Sequence, residues 1–120
     1  MRWENRLDGG GNAGEILSLR TTTSAWERMR GLLGRAPLAA DEALVIEPCN
    51  MVHTVGMRYP IDVVFADRAG RVLQVSAAVP PRRMRGCLRA ARVVELRAGE
   101  AARRGWVVGT QLPFLSASKP

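Results

Sequence analysis

Tyr59-Pro60-Ile61-Asp62-Val63-Val64-Phe65-Ala66-Asp67-Arg68-Ala69-Gly70-Arg71-Val72-Leu73-Gln74-Val75-Ser76-Ala77-Ala78-Val79-Pro80-Pro81 decides the fold. Pro60 drives Tyr59 out of the helical region. Ile61–Ala66 is dense in β-branched and aromatic residues and reads as a strand. Asp67-Arg68-Ala69-Gly70 is a hairpin turn, with Asp at its start and Gly where positive φ is tolerated. Arg71–Val79 is the return strand, and Pro80-Pro81 ends it. Val63 and Phe65 share one face of the first strand, with Val64 on the other.

Further strands flank this hairpin. Glu15–Thr22 and Ala43–Ile46 precede it; Arg92–Leu96 and Trp106–Leu112 follow. Two short helices complete the pattern. Ser24-Ala25-Trp26-Glu27 is a capping box, followed by Trp26, Met29 and Leu33 at helical spacing and closed by Gly34 and Pro37. Gly99–Arg104 allows one and a half turns before Gly105. No β-α-β rhythm runs through the chain, which excludes a doubly wound sheet. The expectation is a mainly β fold: a small antiparallel β-sandwich or partly closed barrel with two short helices. Residues 1–14 read as a flexible N-terminal arm, 15–113 as a single β-rich domain and 114–120 as a frayed tail.

The 120 residues are 47% hydrophobic and 24% charged, the balance of one globular domain. No apolar run approaches the roughly 20 residues that span a bilayer, and no signal-peptide core follows Met1. The expected location is therefore cytoplasmic, with no membrane partner. Cys49 and Cys87 are too few for a disulfide scaffold and are expected as free thiols. The net charge is +7, and 17 of the 18 basic residues are Arg. Most are scattered, but residues 82–104 hold eight Arg against Glu95 and Glu100.

Gly9–Gly14 matches G-x-G-x-x-G by spacing, without the preceding strand and following helix that a nucleotide loop needs. The chemistry-bearing segment is Cys49-Asn50-Met51-Val52-His53-Thr54-Val55-Gly56-Met57-Arg58-Tyr59-Pro60-Ile61-Asp62, which holds the only His and the only Tyr. In an extended chain Cys49, Met51 and His53 share a face, with Met57 able to fold back across Gly56; such donors suit Cu(I) better than Zn. Cys49 and His53 lie about 13 Å apart if the segment is straight, too far for a shared ion or a nucleophile–base contact without a bend. Ser76, His53 and Asp62 can be drawn as a triad, but no nucleophile elbow is present. The Arg residues of 82–104 could track phosphates, yet no aromatic platform is interleaved with them.

His53-Thr54-x-x-Met57-Arg58-Tyr59-Pro60-Ile61-Asp62-Val63-Val64-Phe65, Gly70-x-Val72, Pro80, Val94-Glu95-Leu96-x-Ala98-Gly99 and Gly105-x-x-x-Gly109 together resemble the domain-of-unknown-function 192 family of bacteria and archaea. The resemblance runs from about Leu17 to Leu112. It implies a compact, mainly β domain that stands alone as a small protein. It carries over no reaction, cofactor or catalytic residue. Many relatives carry an export signal, which this N-terminus does not display. Relatives often have Asn in place of His53 and often lack a counterpart of Cys49. Amide and imidazole share hydrogen-bonding ability, so the resemblance points to His53 as a structural or ligand-contacting donor rather than a base.

The functional expectation is a non-enzymatic accessory or binding module. Its polar groove is built from His53, Thr54, Met57, Arg58 and Asp62 and takes a small anionic ligand or a peptide end. Arg58 supplies the charge, and His53 and Thr54 supply hydrogen bonds. In a purely structural reading of the same block, Asp62 accepts from His53, Thr54 or Arg58 and pins the loop. The alternatives are a copper-type metal site or Cys/His enzyme using Cys49 and His53, and RNA or DNA binding through 82–104. No cofactor and no metal is assigned.

Overall fold

A computed structural model describes residues 4–8, 15–22 and 37–116. The capping-box helix and the Gly9–Gly14 run lie outside the described residues. The strands are β1 (Glu4–Asp8), β2 (Glu15–Thr21), β3 (Glu42–Ile46), β4 (Met51–His53), β5 (Ile61–Ala66), β6 (Val72–Val79), β7 (Met84–Gly86) and β8 (Arg92–Arg97). Two one-turn helices follow, α1 (Glu100–Arg103) and α2 (Pro113–Ser116). Six strands form one sheet in the order β1-β2-β3-β8-β5-β6; β4 and β7 form a separate two-stranded ribbon. Among the described residues β2 and β3 pair in parallel and the other pairings are antiparallel. The fold is mainly β and sandwich-like, with open edges at β1 and β6.

The central strands β3, β8 and β5 carry nearly unbroken apolar runs because both faces of the sheet are covered. Register distributes their side chains. Val45, Val94 and Val64 lie abreast on one face, against Trp106, Leu112 and Leu115. Leu44, Glu95 and Val63 lie abreast on the other, where Ile61, Phe65 and Val79 complete the cluster and Val52, Met57, Tyr59, Cys49 and Cys87 pack over it. The ribbon thus lids the second face.

The hairpin forms where the sequence places it. Asp67 Oδ1 accepts the Ala69 and Arg71 amides at 2.9 Å, and Gly70 has φ 85. A Cβ at Gly70 would lie 2.7 Å from the Leu112 carbonyl, so the position needs glycine for space as well as for conformation.

Three expectations are corrected. Residues 4–8, read as part of a flexible arm, are β1 and pair along their length with β2. Trp106–Leu112 is not a strand: it meets the sheet through an isolated bridge, Gln111 to Arg71, and main-chain bonds of Gly109 and Thr110 to Val72. Gly105 (φ 73) and Gly109 (φ 95) turn that chain twice within five residues, and the turns drop Trp106 and Leu112 into the core. Leu115, read as tail, is 3% exposed, because α2 carries it against Trp106 and its neighbours.

Asp62 is fully buried. The β5–β6 register shifts between Ile61 and Val63, and Ala78 bulges at φ 48 so that its amide donates to Asp62 Oδ1 at 2.8 Å. Oδ2 accepts the Gly99 and Ala101 amides at 3.1 and 2.9 Å. Gly99 is the N-cap of α1 and has no side-chain cap of its own; Asp62 caps that helix from a different strand. Asp62→Ala leaves three amides without their acceptor, and we expect a loss of about 4 kcal/mol in urea denaturation. Arg58→Ala, at an exposed position, should stay within about 0.5 kcal/mol of the parent.

Candidate functional site

The expected groove residues divide by what their polar atoms already do. Thr54 is 1% exposed. Its hydroxyl donates to the Pro80 carbonyl at 2.7 Å and accepts the Arg83 amide at 2.8 Å. Its carbonyl accepts the amides of Met57 and Arg82. It clamps the end of β4 to the turn at 80–83, where Arg82 is held at φ 67. Asp62 accepts the three amides described above, and not His53, Thr54 or Arg58. Met57 packs against the inner apolar cluster. His53 and Arg58 remain exposed. Thr54, Met57 and Asp62 therefore hold the fold, and two of the five keep their polar ends in solvent.

The cysteines also face inward. Cys49 and Cys87 are half-buried free thiols packed on the inner cluster. The Cys49 thiol donates to the Met51 carbonyl at 3.2 Å, while His53 stands on the exposed face of the ribbon. This arrangement does not supply a Cys–His nucleophile pair. Among the described residues no three His, Cys, Asp or Glu side chains gather as a metal-binding group.

A concave surface lies at the opposite end of β5. It is an open depression of about 760 Å³ between residues 48–50, the hairpin turn at 67–69 and the segment 89–91. Arg68, Arg89, Asn50 and Asp67 line it beside the apolar Pro48, Ala90 and Ala91, and the Asp67 carboxylate is engaged by the Ala69 and Arg71 amides. Arg92 and Glu47, joined at 2.9 Å, brace two of the flanking segments. Cys49 and Ala91 are tied by the Cys49 amide at 3.0 Å. Neither Arg68 nor Arg89 forms an ion pair among the described residues. Sequence reading singled out neither as a pair, because they are 21 positions apart and meet only when the hairpin tip folds beside the β7–β8 connection.

The arginines of 82–104 do not act as one stripe. Arg92 pairs with Glu47. Arg103 and the fully buried Arg104 both face Glu100, and Arg104 also donates to the Ala40 carbonyl. The Arg103 hydrogen bond, aided by the charges of Arg103 and Arg104, holds the Glu100 carboxyl below its ordinary range against the opposing effect of burial. Three of the eight guanidiniums are thus committed to carboxylates of the same chain, Arg104 fully buried and Arg103 at the surface, so they do not form a row of free cations for phosphates.

Glu95 is the residue that pattern reading passed over. It stands between Leu44 and Val63 on the ribbon-covered face, 4% exposed, and its Oε1 has no hydrogen-bond partner. Burial pushes its carboxyl up to about 7. Its charge, with burial the larger cause, also raises the nearby Tyr59 hydroxyl.

The sequence profile of the family DUF192, "Uncharacterized ACR", matches residues 7–114. Nothing matches among the curated proteins. Two solved structures share the fold. One, from Novosphingobium aromaticivorans DSM 12444 and described as of unknown function, has TM-score 0.80 at 20% identity over 91% of this chain and 83% of that one. The other, from Sinorhizobium meliloti 1021 and described as a candidate transcription regulator, has TM-score 0.75 at 22% identity over 82% and 81%. Among the described residues no helix is long and apolar enough to cross a membrane.

Glu95 yields a pH prediction. Its folded value, about 7, exceeds the ordinary carboxyl value near 4.5. The folded chain therefore keeps a proton that the unfolded chain releases. The stabilisation is complete below about pH 4.5 and is lost as pH rises through 7. The full loss is roughly 3 kcal/mol at 1.36 kcal/mol per unit. Denaturation midpoints between pH 4 and 8 should show this fall, and Glu95→Gln should flatten it.

Proposed function

This chain belongs to the DUF192 family, and within it we propose a non-enzymatic binding module that takes a small anionic ligand or the carboxylate end of a peptide. The observation that carries the reading is the depression lined by Arg68 and Arg89, two guanidiniums that form no ion pair among the described residues. A guanidinium presents paired donors that match carboxylate and phosphate oxygens. Asn50 adds an amide to the same lining, and Pro48, Ala90 and Ala91 suit the carbon skeleton of a small organic acid. The site stands at the hairpin end of β5 rather than at His53–Asp62. The inward thiol of Cys49 and its bond to Met51 support binding over covalent catalysis. A cytoplasmic location fits a chain with two cysteines, too few for a disulfide scaffold.

Nuclear magnetic resonance titration tests the pocket. Inorganic phosphate, or a short peptide with a free C-terminus, should shift the amides of residues 49–50, 67–69 and 89–91, with a Kd on the order of 1 mM or tighter. Arg68→Ala and Arg89→Ala should each weaken binding roughly tenfold, the loss of one charge-assisted contact. Absence of shifts at those residues, or equal binding by both variants, overturns the reading.

A further inference from the structure

We infer that the solvent face of the β4/β7 ribbon is a soft-metal site in which Met51, His53 and Met84 hold a monovalent ion of the Cu(I) or Ag(I) class. The inference is independent of the anion pocket. It starts from register. Met51 pairs with Gly86, Val52 with Arg85 and His53 with Met84. Main-chain bonds join Thr54 to Arg83 at 2.8 Å and Cys87 to Asn50 at 2.9 Å. Hydrogen-bonded pairs alternate along an antiparallel ladder. His53/Met84 and Met51/Gly86 are therefore the non-bonded pairs, with Cα atoms about 4.5 Å apart and side chains at their closest.

These side chains share the outer face. Met51 and Met84 are 53% and 63% exposed, and His53 is exposed between them. Val52 points the other way, onto the apolar cluster, as Cys49 and Cys87 do. His53 faces Met84 directly, and Met51 is two residues from His53, about 6.6 Å along the strand. Gly86 supplies the remaining space. The Met51 Cγ and Cε lie 3.7 and 3.6 Å from where a Cβ on Gly86 would stand. The thioether is thus laid across the ribbon toward the strand that carries Met84.

Two thioethers and an imidazole are a soft, uncharged donor set, which selects Cu(I) over hard cations. The electrostatic setting selects in the same direction. Arg82 and Arg83 are exposed beside Met84, and the chain carries +7. A divalent ion would meet that repulsion twice over without an anionic ligand to offset it. A monovalent, polarisable ion meets it once and gains covalency from sulfur. Neither methionine fills a core position, so exposing both has no packing return.

The test separates this face from the thiols, which bind the same ions. In a Cys49→Ser/Cys87→Ser chain, anaerobic Cu(I) competition with a chromophoric chelator should give one ion per chain. Met84→Ala or His53→Ala in that background should weaken it at least roughly tenfold, the lower range seen when even supporting residues of metal sites are removed. Should the double variant not fold, Ag(I) titration of the natural chain with its thiols alkylated reads the same site. One equivalent should shift the Met51 and Met84 methyl resonances and the His53 ring, leaving the half-buried Met57 in place. No stoichiometric binding without thiols, unchanged affinity on losing Met84 or His53, or shifts confined to other residues overturns the assignment.

Discussion

Three amides from two segments far apart in sequence converge on the carboxylate of Asp62, and much of the molecule is arranged around that convergence. Asp62 lies inside β5, between strands β6 and β8, where a polar side chain has no water to bond. Its acceptors are satisfied by Ala78, Gly99 and Ala101. The bulge that brings Ala78 in ends β6 in a left-handed residue, and the bonds to Gly99 and Ala101 start α1 directly after β8. That helix leads to Gly105 and Trp106, so the placement of the largest buried side chain among the described residues follows from the same carboxylate.

The second face of the sheet is organised differently. It has an apolar row broken by Glu95, and among the described residues the thin β4/β7 ribbon covers it. Thr54 fastens that ribbon at one end through Pro80 and Arg83; the Cys87–Asn50 and Cys49–Ala91 main-chain bonds fasten it at the other. Gln74 also reaches from β6 to the Gly86 carbonyl at 3.3 Å. A cover held mainly by backbone bonds leaves its outer side chains unencumbered. That is why Met51, His53 and Met84 stand in solvent while their neighbours are committed inside. The depression lined by Arg68 and Arg89 arises at the margin of the same cover, where the β3–β4 and β7–β8 connections meet the hairpin tip.

Legibility in the sequence followed the range of the interactions concerned. The Ile61–Val79 hairpin was readable because turn chemistry and β-branched runs act within a few residues, as the Asp67 amide bonds and Gly70 make plain. The mainly β architecture was readable for the same reason. Trp106–Leu112 was misread because its apolar composition mimics a strand, whereas paired left-handed glycines and burial under α2 set its path. Met84–Gly86 carries no β signal of its own; it becomes a strand only because β4 is there to pair with it. Asp62 and Thr54 read as groove residues, with Asp62 accepting from neighbours at 53–58 in the structural reading; the main-chain partners they have lie 16 to 39 residues away, beyond the range of any local pattern.

The amino-acid sequence by itself determined the strand-rich class, the central hairpin, the short helix after β8 and the concentration of soft and polar side chains in residues 49–62. Each of these rests on local conformational preference or on side-chain identity, both of which are properties of contiguous residues. Tertiary structure alone decided that Arg68 joins Arg89, that Met84 joins His53, that Glu95 loses its water and that Arg104 is buried against Glu100. Those outcomes depend on strand register and on which faces are covered. A shift of one residue in register exchanges inside for outside along a whole strand, and no local preference specifies that choice.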